Sequence, residues 1–252
     1  MNKILKYTLF TLFFLALFAE CFLILKAERF NQNIYSYKYY LAVSKYRFYV
    51  RPLLDIILLF ILFPFAFSSY KNTQRDLFLY LGLLSTLLAD IFILSQISNL
   101  SNYGLPLYAI SYLLFAEFFN KLANRDKYTL PKLFTFLLFA TIIIAAILIL
   151  LPTCFETTKY ILLGAHIINL IYFIITVLRI RSKLKIIKTV QYLLIATICI
   201  IFSNLIYGIS AFIFNFKHPT LDVATAFFYG LFLFFLVNSV TYFEERLRKN
   251  DE

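Results

Sequence analysis

Eight apolar runs constrain this chain more than any other feature of its sequence. A membrane-spanning helix needs about 20 mostly apolar residues, and inside a bilayer the backbone must satisfy its own hydrogen bonds. The runs lie at about 5–25, 52–70, 77–96, 105–122, 132–151, 160–178, 190–213 and 223–243. They predict an all-α fold, a bundle of eight transmembrane helices that forms a single integral membrane domain over residues 1–252.

The composition excludes the common classes of soluble protein. Hydrophobic residues make up 62% of the 252 residues and charged residues only 15%, against about 45–50% and about 25% in soluble domains. A soluble enzyme, a disordered chain and a disulfide scaffold are therefore excluded. The three cysteines share no metal-binding or redox spacing and are interpreted as small buried hydrophobes: Cys21, Cys154 and Cys199.

The first run could be mistaken for a signal peptide, because Lys3 and Lys6 precede it and Cys21 resembles a lipoprotein cleavage site. Glu20 stands directly before that cysteine, where a small residue is needed, and the apolar run continues to Leu25. The run is therefore predicted to be a retained helix.

The net charge is +11, and the positions of the basic residues predict which side of the membrane each loop faces. With eight spans the two termini share one side, which carries sixteen of the 24 Lys and Arg residues. The positive-inside rule then predicts an integral protein of the cytoplasmic membrane of a bacterium, with both termini in the cytoplasm. Membrane lipids are the expected partners, and nucleic acid is not.

One segment departs from this charge pattern. Residues 26–51 carry six of the eight cationic residues on the opposite side, together with six tyrosines. A basic, tyrosine-rich segment is expected to lie along the headgroup layer rather than project from it. Models with seven or nine spans remain alternatives.

Few ionisable residues lie inside the apolar runs, where a charge is costly and usually faces a partner or a cavity. Glu20 and Glu117 lie near the ends of their runs, and Glu117 is expected to reach water there. Asp55 lies one helical turn after Arg51, so the two are expected to pair. Asp90 is about 13 residues into its run, roughly 20 Å from the cytoplasmic side.

Polar residues in four runs are predicted at similar depth in the middle to outer half of the bilayer. They are Asp90, Ser111, Tyr112, His166, Asn169 and Asn204. They either form interhelical hydrogen bonds, worth about 1 kcal/mol each, or line one polar cavity. No nucleophile-elbow, zinc-protease, phosphate-loop or dinucleotide motif is present, and two histidines do not make a metal site. No metal and no cofactor is expected.

Four short stretches follow one another along the chain: RPLL at 51–54, GLLSTLLADIFIL at 82–94, LYAISYLLFAEFF at 107–119 and IIFSNLIYGISAF at 200–212. In this order they resemble the YhhN-like family of integral membrane proteins, which includes the lysoplasmalogenases. The resemblance covers about residues 50–240 and implies that Asp90 corresponds to a family aspartate. Four family positions differ. Ala89 replaces the glycine before the aspartate, and Tyr112 replaces a histidine. Asn204 replaces a second aspartate, and Phe232 a glutamine in the last helix, where Tyr229 is kept.

Lysoplasmalogenases hydrolyse the vinyl ether of a lysolipid to an aldehyde, which requires a proton donor and a group that positions water. The resemblance implies a hydrolase in which Asp90 is the acid and Asn204 its partner in the site. The residues expected to line the lysolipid cavity are Tyr112, Ser111, His166, Asn169, Tyr229 and Asp55. Two alternatives stand beside this hypothesis: a non-catalytic protein that binds or moves lipid, and a transporter with Asp90 as proton carrier.

Overall fold

The structure is a computed structural model that describes residues 3–31, 37–66, 73–94, 104–123, 137–138, 141, 155–181, 187–213 and 219–251. Within these ranges the regular secondary structure is helical. The long helices are α1 Lys3–Asn31, α2 Tyr37–Ala66, α3 Thr73–Leu94, α4 Gly104–Ala123, α5 Phe155–Arg181, α6 Ile187–Phe212 and α7 Pro219–Asp251.

Five of the described helices are long and apolar enough to cross a bilayer: α1, α3, α5, α6 and α7. The predicted all-α membrane class is therefore confirmed. The count of eight helices stays a prediction, because only residues 137, 138 and 141 of the run at 132–151 lie within the described ranges. These three residues are helical.

Helix α2 begins much earlier than its apolar run. It starts at Tyr37, whereas the run starts at residue 52, so much of the basic, tyrosine-rich segment is helical. Pro52, at the start of the apolar run, therefore lies in the interior of α2. Hydropathy marks the stretch that suits hydrocarbon and does not mark the end of a helix, which can continue past the bilayer.

Polar and apolar side chains are distributed as expected of a protein surrounded by lipid. Large apolar side chains are exposed along the helices, among them Phe18, Phe22 and Ile198. Carboxyl and amide side chains are buried instead, including Asp90 and Asn169. Most soluble proteins have the opposite pattern for charged groups, since water solvates them at the surface.

The chain divides into two compact units. The terminal unit comprises Met1–Ser68 and Ile186–Glu252, and the central unit comprises Ser69–Lys185. In the terminal unit α7 packs against α1, α2 and α6, and α1 also packs against α2. In the central unit α4 lies between α3 and α5 and contacts both. The prediction of a single domain stays a prediction.

The terminal unit is joined along α1 and α7 by aromatic rings and one ion pair. The Phe234 ring packs against the rings of Phe10, Phe13 and Phe14, with centroids 4.8 to 5.8 Å apart. Near the two chain ends Lys6 Nζ lies 2.7 Å from Glu245 Oε1. Such exposed pairs contribute little stability, so the rings account for most of this contact.

In the central unit small residues allow α3 and α4 to approach closely. A Cβ atom at Gly82 would lie 2.5 Å from Phe115 Cε1, and one at Gly104 would lie 3.0 Å from the carbonyl oxygen of Ala89. Gly82, Thr86 and Asp90 recur every four residues along α3, and all three are buried. This stripe of small and polar residues therefore faces a neighbouring helix.

Gly82→Ala should destabilise the protein by about 1–3 kcal/mol, because the added methyl group overlaps the buried Phe115 ring. Thermal unfolding in detergent measures the effect. Gly164→Ala is the matched control in α5, because no described atom lies within 4 Å of a Cβ built there. Equal melting temperatures for the two variants would contradict the close approach.

Candidate functional site

The candidate site centres on Asp90, a carboxyl that is fully buried near the end of α3. The Tyr108 hydroxyl of α4 donates a hydrogen bond to Asp90 Oδ1. Both side chains are buried, so the bond lies away from water. A hydrogen bond to a carboxyl group is among the stronger side-chain interactions, because the acceptor can carry charge.

Sequence reasoning missed Tyr108, although the sequence contained a clue to it. Asp90 lies four residues before the end of α3 at Leu94, and Tyr108 lies four residues after the start of α4 at Gly104. Two antiparallel helices joined by a short segment bring such positions to the same level. The residue types also match, because a buried tyrosine hydroxyl usually needs a hydrogen-bond partner.

One turn further along α4, a second aromatic residue contacts α5. The rings of Tyr112 and His166 have centroids 5.2 Å apart and an interplanar angle of 57°, and both residues are buried. Tyr108 and Tyr112 are four residues apart and therefore lie on one face of α4, about 6 Å apart along its axis. This face carries contacts to Asp90 at one level and to His166 at the next.

Asn169 attaches α5 to the same face. Its Nδ2 donates to the carbonyl oxygen of Ala109 at 3.3 Å and to Thr141 Oγ1 at 2.9 Å. Ser111 Oγ, by contrast, donates to the carbonyl oxygen of Tyr108 at 2.8 Å. Ser111 is therefore satisfied within its own helix, and Asn169 joins parts of the unit that are distant in sequence.

Five of the predicted site residues therefore belong to the central unit: Asp90, Ser111, Tyr112, His166 and Asn169. The contacts described above connect α3 to α4 and α4 to α5. The structure supports interhelical hydrogen bonding for Asp90 and Asn169. A lipid-sized cavity beside these residues stays a prediction.

Three predicted site residues belong to the terminal unit: Asp55, Asn204 and Tyr229. Asp55 is fully buried in α2. Asn204 Nδ2 donates to the carbonyl oxygen of Ile200 in its own helix at 2.9 Å. The buried Tyr229 ring lies 5.2 Å from the Arg51 guanidinium carbon. The cavity shared by Asn204 and Asp90 and the pairing of Asp55 with Arg51 both stay predictions.

The environment of Glu117 differs from the one predicted from the sequence. The sequence predicts that it reaches water near the end of its run, but its side chain is 0% exposed. Among the described residues no donor reaches either of its carboxyl oxygens with the distance and angle of a hydrogen bond. The residue is too far from the end of α4, at Ala123, for its short side chain to leave the packed interior.

The sequence model of the YhhN family matches residues 46–238, which is most of the chain. The matched range includes Asp90, its partner Tyr108 and every other residue of the predicted site. No curated protein and no solved structure matches the chain significantly.

The bond between Tyr108 and Asp90 should be measurable as an energetic coupling. In a double-mutant cycle, Tyr108→Phe and Asp90→Ala should be non-additive by about 1–3 kcal/mol, because each removes the same buried hydrogen bond. Unfolding in detergent provides the free energies. Tyr172→Phe is the control, since its hydroxyl contacts Asn120 instead. Additive effects of Tyr108→Phe and Asp90→Ala would show that the bond contributes nothing.

Proposed function

The chain belongs to the YhhN family, and we propose that it is a membrane hydrolase that cleaves the vinyl ether of a lysoplasmalogen-like lysolipid, with Asp90 as the acid. The observation that carries the proposal is the burial of Asp90 together with its hydrogen bond from Tyr108. A buried carboxyl group can exchange a proton directly with a bound substrate, out of reach of bulk water. The proposed hydrolysis begins with such a proton transfer.

The reaction consumes one water molecule, and a single carboxyl group can close its proton balance. Protonated Asp90 donates to the vinyl carbon remote from the ether oxygen, which leaves an oxocarbenium ion at the other vinyl carbon. Water adds to that carbon, and the resulting Asp90 carboxylate accepts the proton that the water loses. The hemiacetal then splits into an aldehyde and the glycerol hydroxyl of the headgroup fragment, with one proton moving between its oxygens.

Tyr108 has a defined role in the proposed reaction. Its hydroxyl donates to Asp90 Oδ1, so the proton that Asp90 delivers is carried on Oδ2. The same bond stabilises the carboxylate once the proton has left, and so favours the protonation step. Tyr112 and His166 lie one turn away on the central unit and are proposed to shape the site and orient water.

The other polar residues predicted from the sequence have proposed roles at the same site. Asn204 is proposed as the partner that positions water in place of a second carboxylate, and Ser111, Asn169, Tyr229 and Asp55 as residues lining the lysolipid site. The proposal also includes the full bundle of eight helices in the cytoplasmic membrane of a bacterium, with both termini on the cytoplasmic side.

The alternative function is non-catalytic binding or transport of a lysolipid. One observation favours it: the Asn204 amide donates to a carbonyl of its own helix, an interaction that does not activate water. In that case the buried polar residues position a lipid and do not transform it. The two functions differ in whether aldehyde is released.

The test is aldehyde release from a lysoplasmalogen by the purified full-length protein in detergent or in liposomes. Turnover by the wild-type protein and its loss by at least about a hundredfold in Asp90→Asn are expected, because general acid catalysis contributes about that much or more. Tyr108→Phe should lower turnover less, because it removes only the stabilisation of the carboxylate.

Glu117→Gln is the matched control, because it neutralises another fully buried carboxyl group of the central unit. Its turnover should remain close to that of the wild-type protein. Turnover that survives Asp90→Asn would refute the assignment of the acid. Turnover only in Asn204→Asp, with none in the wild-type protein, would favour the non-catalytic alternative.

A further inference from the structure

A cavity of about 400 Å³ lies along the start of α6 in the terminal unit. Its lining, within the described ranges, consists of Lys188, Gln191, Tyr192, Leu194 and Ile195. Lys188, Gln191 and Ile195 are exposed, so the cavity is reached from outside the protein. Its volume is within the range of ligand sites in proteins, about 300–1,000 Å³.

The lining of this cavity changes from polar to apolar along α6. Lys188 lies in the first turn of the helix, and Ile195 follows seven residues later, about 10 Å further along the axis. The candidate membrane span of α6 covers Ile187–Ser210. Lys188 and Gln191 are therefore at the end of the span, where water meets the bilayer. Leu194 and Ile195 are at the depth where lipid tails begin.

Aromatic rings of α7 fix the polar end of the cavity. The Tyr192 ring stacks on Phe235 with centroids 6.2 Å apart, and it meets the edge of Tyr242 at 6.3 Å. Lys188 Nζ lies 5.7 Å from the centroid of the same Tyr242 ring, a cation–π contact. The Tyr242 hydroxyl oxygen accepts a hydrogen bond of 3.3 Å from Arg246 Nε. Two cations therefore lie beside one ring.

The charge of Lys188 is not compensated by a carboxylate in the part of the chain that the structure describes. The ion pairs found there involve other cations. Helix α6 contains no acidic residue, and the sequence has none between Glu156 and Asp222. The Lys188 ammonium has three N–H donors, and no described side chain or carbonyl accepts a hydrogen bond from them. The polar end of the cavity is therefore cationic.

Arg246 adds a second positive charge at this end. Its side chain is exposed, and it forms no ion pair with a described residue. Two acidic residues precede it on α7. Glu245 Oε1 is 2.7 Å from Lys6 Nζ of α1, and Glu244 is half-buried. Neither carboxylate pairs with Lys188 or Arg246, so both cations remain available to an anion.

We propose that this cavity binds an anionic membrane phospholipid, with the phosphate group at Lys188 and Gln191 and the start of one acyl chain along Leu194 and Ile195. A lysine ammonium binds phosphate as a point charge. The two cations would repel the ammonium of a zwitterionic headgroup, so an anionic headgroup is favoured. A lipid fits better than a soluble anion, because the cavity continues from its cationic end into the membrane span.

The position of the cavity agrees with this ligand. It lies on the side predicted to be cytoplasmic, and that leaflet attracts basic residues through its anionic lipids. Tyr192 and Tyr242 lie near the ends of the spans of α6 and α7, the level at which tyrosines are enriched. The site lies in the terminal unit, goes beyond the proposed hydrolysis at Asp90 and requires no turnover.

Lipid binding to the purified full-length protein in detergent tests the proposal. The probe is phosphatidylglycerol with a fluorescent label on one acyl chain, and the comparison lipid is phosphatidylcholine with the same chains. The wild-type protein should bind phosphatidylglycerol more tightly. Lys188→Gln should raise the Kd for phosphatidylglycerol about fivefold, the effect of one basic residue on an anionic lipid, and that for phosphatidylcholine much less.

Two further variants separate the charge of the site from its shape. Lys188→Arg should bind phosphatidylglycerol as the wild-type protein does, because it keeps the positive charge. Ile195→Trp should raise the Kd for both lipids about fivefold or more, because the larger side chain occupies the apolar part of the cavity. Both positions are exposed, so the variants should keep the melting temperature of the wild-type protein.

Lys26→Gln is the matched control for the loss of charge. Lys26 is also exposed, and its Nζ also lies 5.7 Å from an aromatic centroid, that of Phe22. It stands at the end of the candidate span Ile4–Lys26 but does not line the cavity. The Kd of Lys26→Gln for phosphatidylglycerol should therefore equal that of the wild-type protein.

Unchanged phosphatidylglycerol binding in Lys188→Gln would overturn the site, and so would unchanged binding of both lipids in Ile195→Trp. Equal weakening in Lys26→Gln would overturn it by showing unspecific attraction. Displacement of the probe by millimolar glycerol 3-phosphate as effective as that by unlabelled phosphatidylglycerol would overturn the lipid as ligand. Because no arm measures aldehyde, these outcomes are independent of failure of the proposed hydrolysis.

Discussion

The scarcity of hydrogen-bond partners inside a bilayer is the constraint on which the rest of this structure depends. A polar side chain on a membrane helix must find its partner within the protein, because lipid tails offer none. Thr197 and Ser239 satisfy this need by donating to carbonyl groups of their own helices. Asp90 uses a neighbouring helix, where the Tyr108 hydroxyl donates a hydrogen bond to it.

The same constraint gives the two units different polar interiors. In the central unit the buried carboxyl groups include those of Asp90 and Glu117, and Asp90 receives a neutral hydroxyl donor. In the terminal unit a buried carboxylate and an arginine compensate each other, as Glu20 and Arg47 do. Removing either partner of that pair would leave the other buried without compensation, which is strongly destabilising.

The sequence predicted the features that depend on amino-acid composition and on the spacing of apolar residues along the chain. The helical class and the position of Asp90 inside the protein follow from the apolar content and the spacing of the runs, and the structure agrees. It did not predict the start of α2 at Tyr37, because the helix continues beyond the apolar stretch. It also missed Tyr108 and Arg47, because both act through contacts with a neighbouring helix. Predicting such a contact requires knowing which residues of two helices lie at the same level, and the sequence does not give this.

The central claim is that Asp90, buried in the central unit beside the Tyr108 hydroxyl, acts as the proton donor. Infrared difference spectroscopy of the protein in liposomes at neutral pH tests it most directly, because protonated and ionised carboxyl groups absorb at different frequencies. The spectrum of the wild-type protein minus that of Asp90→Asn should contain the band of a protonated carboxyl group. This band should shift in Tyr108→Phe, which removes the hydrogen bond, and should persist in Glu117→Gln. A difference spectrum with only the carboxylate bands of an ionised group would contradict the account.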